Sequence, residues 1–180
     1  MQRASLSLVA LLLASTPVHA QQQPTPQQAA APASEVDAFA RSAAEAHLSE
    51  VLVSAMALQK TNDKRVQDNA WTMLVHHSRA MGELADVLNE GAASLPTEPS
   101  AEQQQTLERM RSLQGSQFDQ AYLDHQVQAH QRSISLYEQA SQLSDEKVAN
   151  YARVTLPVLR AHQEIVRYRQ SQPVDPLPAQ

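Results

Sequence analysis

No cysteine occurs among the 180 residues, so no disulfide can staple this chain even in an oxidising compartment, and packing must supply its stability. Beyond the leader argued below, no run approaches the roughly 20 apolar residues that a bilayer-spanning helix needs, which leaves the mature chain without an expected transmembrane segment. Basic charge is also scarce. Of the 14 Lys and Arg, Arg3 lies in the leader, and the remaining 13 face 19 Asp and Glu, a formal charge of −6. That balance, with the two signs interspersed, argues against a nucleic-acid partner. No phosphate loop, Ser–His–Asp arrangement or paired-carboxylate motif is present, so no motif points to an enzyme.

What is present begins with export. Arg3 precedes an apolar run from Leu6 to Ala14, and Val18-His19-Ala20 forms a small-x-small cleavage pattern. Residues 1–20 therefore read as a signal peptide cut after Ala20. Residues 21–34, rich in Gln, Pro and Ala, lack apolar periodicity and read as a flexible linker. Residues 35–170 carry the folded domain, and 171–180, with three prolines, an irregular tail.

Within the domain the apolar spacing is helical throughout. Ser34 and Asp37 suggest a capping box opening a first helix that runs to about Lys60. Its strongest stripe is Ala40, Ala44, Leu48, Val51, Leu52, Ala55 and Leu58, with Phe39, Ala43, Glu50 and Ala57 as a second line. Thr61-Asn62-Asp63 makes a short turn into a second helix, from about Asp63 to Asn89, with Gly91 as its C-cap. A Pro-containing crossover follows. It leads to a short helix from the Ser100/Gln103 capping pair to Leu113, which Gly115 ends or kinks. A third long helix reaches about Leu143, and Ser144-Asp145-Glu146 opens a fourth, interrupted by Pro157. The expected fold is all-α, an up-down-up-down four-helix bundle with a short extra helix in the second crossover. An intertwined dimer of hairpins would show the same pattern, and the crossover length is the reason to prefer a monomer.

From Phe118 to Tyr137 a polar line runs down an apolar helix face. Asp119, Gln126, His130, Ser133 and Tyr137 fall on one side, bracketed by Phe118, Ala129 and Leu136 and by Leu123, Val127 and Ile134. Buried polar groups need partners on neighbouring helices. His77 is central in the stripe of the second helix and His162 in that of the fourth. At a rise of about 1.5 Å per residue, Glu50 lies about 17 Å from the turn end, His130 about 21 Å, His47 about 22 Å, His77 about 23 Å and His162 about 27 Å. Interior imidazoles at one depth of a bundle suit a metal. No Glu-x-x-His occurs, which disfavours a di-iron carboxylate centre and leaves a single Zn, Cu or Fe. Met73 and Met81 flank His77 on its face and admit soft Cu(I) ligation, although Met more often fills core gaps. His47 is an alternative to Glu50, and His76 and His125 read as surface or boundary residues.

The runs EVLVSAMALQKTNDKRVQDNAWTMLVHHSRAMGEL, LQGSQFDQAYLDHQVQAHQ and LPVLRAHQ together resemble the exported bacterial family numbered 4142 among the domains of unknown function. The likeness covers roughly residues 36–168 and falls on Glu50, His77, Phe118, Asp119, Tyr122, His130, Leu156, Pro157 and His162. It implies a ferritin-like bundle in the periplasm or envelope, brings no activity, and raises Glu50 above His47. The site expected from both lines is one transition metal on Glu50, His77, His130 and His162, with Asp119 and Tyr122 behind them. The rival is a metal-free helical module that binds an envelope protein or serves a stress-related structural role. Acid–base catalysis by the histidines ranks third.

Overall fold

A computed structural model describes residues 34–88 and 95–172. The expected signal peptide, nearly all of the linker, the Gly91 cap and most of the tail lie outside the described residues. Five helices and no strand occur among the described residues: α1 (Glu35–Lys60), α2 (Lys64–Leu88), α3 (Ala101–Ser112), α4 (Gly115–Ala140) and α5 (Glu146–Ser171). The chain is all-α and forms a helical bundle. α1 packs along α2 and α4 along α5, α1 also meets α4 and α2 meets α5, while α3 lies against α1 and α4.

The helix starts follow their polar caps. Ser34 and Asp37 form a reciprocal capping box at α1, as do Ser100 and Gln103 at α3. The Asp145 carboxylate accepts from the Lys147 and Val148 amides at α5. These bonds satisfy amide donors that a helix start leaves orphaned. The Lys60 ammonium donates to the Arg111 and Leu113 carbonyls, tying the end of α1 to the end of α3. Gly115 starts α4 at φ 53°, a left-handed conformation that favours glycine. α4 stops at Ala140, three residues earlier than the spacing suggests. There Gln142 and Leu143 donate to Gln139 and Ala140 in tight turns, and Arg153 donates to the Ser141 carbonyl.

The apolar core is divided. One cluster gathers Phe39, Ala43, Leu84, Tyr137, Ala152 and Leu159 with their neighbours, and the other Val53, Val66, Met73, Phe118, Tyr122 and Val166. On every long helix buried polar residues sit in sequence between the two clusters: His47 and Glu50 on α1, His77 on α2, Gln126 and His130 on α4, His162 on α5. Each large apolar side chain buried in a cluster contributes about 1.5–3 kcal/mol. Those clusters offset the cost of desolvating the polar layer between them.

α1 turns a different face inward from its aliphatic stripe. Phe39, Ala43, His47, Glu50, Ser54 and Ala57 are buried, whereas Leu52 is 45% exposed. Small residues on that face let the α1 backbone approach its neighbours closely, which the count of large side chains did not register.

Candidate metal centre

Three helices each deliver one imidazole to the polar layer: His77 from α2, His130 from α4 and His162 from α5, all buried. Their ring centroids lie 5.5, 5.7 and 5.4 Å apart, nearly an equilateral triangle. One ring nitrogen of each lies within 4.8 Å of one from each of the others. His130 Nε2 and His162 Nδ1 are 3.4 Å apart. Two nitrogens each bound at about 2.0–2.1 Å to a tetrahedral ion stand about 3.4 Å from each other.

Hydrogen bonds decide which nitrogens are free. His130 Nδ1 faces the Gln126 carbonyl at 2.9 Å, and a carbonyl can only accept, so Nδ1 carries the proton and Nε2 of the neutral ring holds a lone pair. On the other side a chain runs from the Ala80 carbonyl. Tyr151 donates its hydroxyl to Ala80 O at 3.3 Å, Tyr137 Oη lies 3.4 Å from Tyr151 Oη, His47 Nε2 lies 2.9 Å from Tyr137 Oη, and His47 Nδ1 lies 2.9 Å from His77 Nδ1. With each group donating toward Ala80, His77 Nδ1 carries a proton and Nε2 is left as a bare acceptor. His77 Nε2 is buried and has no hydrogen-bond partner. The reverse direction would strand an N–H there, at a cost of about 1–3 kcal/mol. His162 Nε2 pairs with Nδ1 of the exposed His76 at 2.7 Å, leaving Nδ1 turned toward His130.

Burial keeps these rings neutral. It pushes His47 down to about 4 and His162 down to about 3, with lesser lowering from His130 beside both and from His76 beside His162. His77 falls well below its ordinary value, first from burial and then from the surrounding histidines. His130 is lowered by burial against an opposing effect of its bond to Gln126. Neutral imidazole is the form that ligates metals.

Glu50, read from the sequence as a fourth ligand, is buried on α1 but faces another way. Its Oε2 accepts from Gln126 Nε2 at 2.6 Å, and its Oε1 lies 3.6 Å from His125 Nε2. It is outside the three-histidine group. Glu50 is displaced because α1 is apolar over much of its circumference, so spacing alone does not fix its rotation. His47 takes the α1 position against His77 instead. Asp119 is paired with Thr61 near the α1–α2 turn, and Tyr122 donates to Asn69 Oδ1 at 2.9 Å, so neither is bonded to the histidines. Met73 belongs to one apolar cluster and Met81 packs against the other.

Of the two histidines read as surface or boundary, His76 is exposed and is bonded to His162, whereas His125 is buried and lines a cavity together with Gln103 and Thr106 of α3. The doublet His76-His77 was the available signal for the first. For the second there was none, since nothing in the spacing says where α3 lies. A cavity of ≈ 330 Å³ opens beside the centre, lined by His76, His77 and His162 with Ala80, Val154 and Val158.

The sequence profile of the family described as Domain of unknown function (DUF4142) matches residues 21–168. Among solved structures the chain is similar to the crystal structure of putative secreted protein DUF305 from Streptomyces coelicolor. That likeness has a TM-score of 0.60 at 16% identity and covers 74% of this chain and 90% of the other, which speaks to fold alone. No curated protein matches the chain.

Proposed function

We propose, for a chain that belongs to the family described as Domain of unknown function (DUF4142), that it is an exported helical protein holding one transition metal ion on His77, His130 and His162. The observation that carries this reading is the buried, unpartnered Nε2 of His77, on a ring whose centroid stands 5.5 and 5.7 Å from those of two other neutral imidazoles. Three nitrogen donors without a carboxylate or thiolate suit Zn(II), Cu(II) or Fe(II). Because Glu50 is engaged with Gln126, the fourth position is left to water or to a small ligand entering through the neighbouring cavity. His47 acts behind His77, and His76 behind His162, as groups that orient a ligand ring.

Export is part of the same proposal. The leader pattern of residues 1–20 supports it, and the similar Streptomyces coelicolor protein is described as a putative secreted protein. No described helix is long and apolar enough to cross a membrane. We also read residues 35–170 as one ferritin-like domain whose four long helices run up-down-up-down, which the pairing of α1 with α2 and α4 with α5 supports.

The alternative is a metal-free module for an envelope partner, favoured by the hydrogen bonds that already link His47 to His77 and His130 to His162. Melting temperature with and without added Zn, Cu or Fe separates the two. A ligand that binds only the folded chain stabilises it by mass action, by about 2.7 kcal/mol at 100 times its Kd, and so raises the midpoint. The raise is expected in the wild type and should vanish in His130→Ala. No shift with any of the metals, in a chain that His130→Ala still destabilises, leaves the metal-free reading standing. For export, the mature chain is expected to begin at Gln21. A periplasmic protein that retains Met1 by intact mass would overturn the cleavage.

A further inference from the structure

Four of the seven large apolar side chains exposed among the described residues lie on one helix, α5. Val154, Val158, Ile165 and Tyr168 are 66, 46, 39 and 67% exposed, and with the exposed Ala161 they follow one another at steps of four, three, four and three residues. Those steps lay them in a single stripe, about 21 Å long at about 1.5 Å per residue. The bundle does not use it, since Val148, Ala152, Leu159 and Val166 belong to the buried face of α5. Single apolar residues on a surface need no partner, but a continuous stripe marks an interaction site.

Alternating steps of four and three are the seam of a two-stranded coiled coil. Val158 and Ile165 take its a positions, where β-branched residues favour two strands, and Val154, Ala161 and Tyr168 take its d positions. The flanking charges say what lies across the seam. Glu164 occupies a g position and Arg169, five residues later, the following e position, the two places that meet across a parallel pair. The helix thus complements a copy of itself, each copy giving the anion of one ion pair and the cation of the other. In an antiparallel pair g faces g and e faces e, and Glu164 would find no cation. Both groups have capacity left. The Arg169 guanidinium donates to the Arg65 carbonyl and the Glu164 carboxylate accepts from Arg167, out of five donors and about four acceptor sites. A lipid surface fits less well, because it draws on unpaired basic charge, whereas Arg153, Arg160 and Arg167 are each paired with a glutamate.

We propose that two copies of this chain pair through α5, parallel and related by a twofold axis along the helix, stripe against stripe, with Glu164 of each copy against Arg169 of the other. The seam uses none of the three candidate metal ligands, so its test is run in EDTA and does not depend on the metal reading. Sedimentation velocity of the mature chain at micromolar to submillimolar concentration is expected to show a reversible dimer. Ile165→Glu, at an exposed position, should sediment as a monomer with its helical far-ultraviolet spectrum intact. Glu164→Arg should weaken pairing at least tenfold, and Arg169→Glu added to the same chain should restore it. Tyr168→Cys, in a chain with no other cysteine, should cross-link to itself under mild oxidation, because like d positions meet in a parallel pair. A chain that is monomeric at every concentration overturns the proposal, and so does a dimer that survives Ile165→Glu. A dimer that Ile165→Glu dissolves but Tyr168→Cys does not cross-link would run antiparallel, which overturns the arrangement. A monomer that floats with phosphatidylglycerol vesicles would assign the stripe to a lipid surface instead and overturn the pairing.

Discussion

Tyr137 contributes one hydroxyl to the histidine layer, and the state of His77 depends on it. The hydroxyl accepts from His47 Nε2 and passes its own proton toward Tyr151, so that His47 Nδ1 is free to accept from His77. Tyr137→Phe removes that acceptor and leaves a buried imidazole N–H without a partner. The expected cost is about 1–3 kcal/mol by denaturant unfolding. If the metal reading holds, affinity should also fall about 10–100-fold, the effect usual for a group behind a ligand. Unchanged stability would mean that the chain from Ala80 to His77 does not set the tautomer. His77, His130 and His162 were legible in the sequence because each is central to an apolar stripe. The role of Tyr137 was only half legible: its place on the polar line was plain, but its partners, His47 and Tyr151, belong to two other helices.

At the scale of the helix, α5 carries the one feature that works against its own regularity. Pro157 lies inside it and has no amide to offer the Arg153 carbonyl, but it is exposed, so water can take that carbonyl. Replacing it with Ala restores the bond and the better propensity, less the entropy that proline removes from the unfolded chain. Pro157→Ala is expected to stabilise the fold by about 1–2 kcal/mol. Because His162 follows only five residues later, the change should also disturb its aim and weaken any metal bound there. A variant with the wild-type denaturation midpoint and the wild-type metal response would deny the proline either role. Helix ends were readable where a side chain caps them, as at Ser34, Ser100 and Asp145. They were less readable at Ala140, where backbone turns and Arg153 end the helix. The inward face of α1 was half legible: Phe39, Ala43, Glu50 and Ala57 stood out as a second line, but Ala43, Ser54 and Ala57 are small and the aliphatic stripe outweighed them. The seat of α3 was hidden because its sequence records only that it is amphipathic, and His125 was misjudged with it.

For the whole molecule, a layer of neutral histidines between two apolar clusters makes stability depend on pH. In the unfolded chain imidazoles titrate near 6.5. In the folded chain burial, the first cause in each case, holds His47 and His125 down to about 4 and His162 down to about 3, and also lowers His77 and His130. Between pH 6.5 and about 4 the unfolded chain thus takes up protons that the folded chain refuses. Stability must fall as pH falls through that window, by at most about 1.4 kcal/mol per pH unit for each histidine. Glu50 works in the opposite sense. Burial raises it to about 7, against the opposing Gln126 bond and Arg132, so its contribution is full below 4.5 and is lost as pH rises through 7. Five imidazoles outweigh one carboxylate, and the net expectation is acid lability. The melting temperature of the metal-free mature chain, followed from pH 7.5 to 4.5, should drop steeply below about pH 6. Glu50→Gln should leave that drop in place and make it steeper, because it removes the stability that Glu50 gains as pH falls from about 7 to 4.5. A melting temperature that is flat between pH 6.5 and 4.5 would mean that these rings are not held neutral by burial, and the triangle would lose the protonation state on which a metal depends.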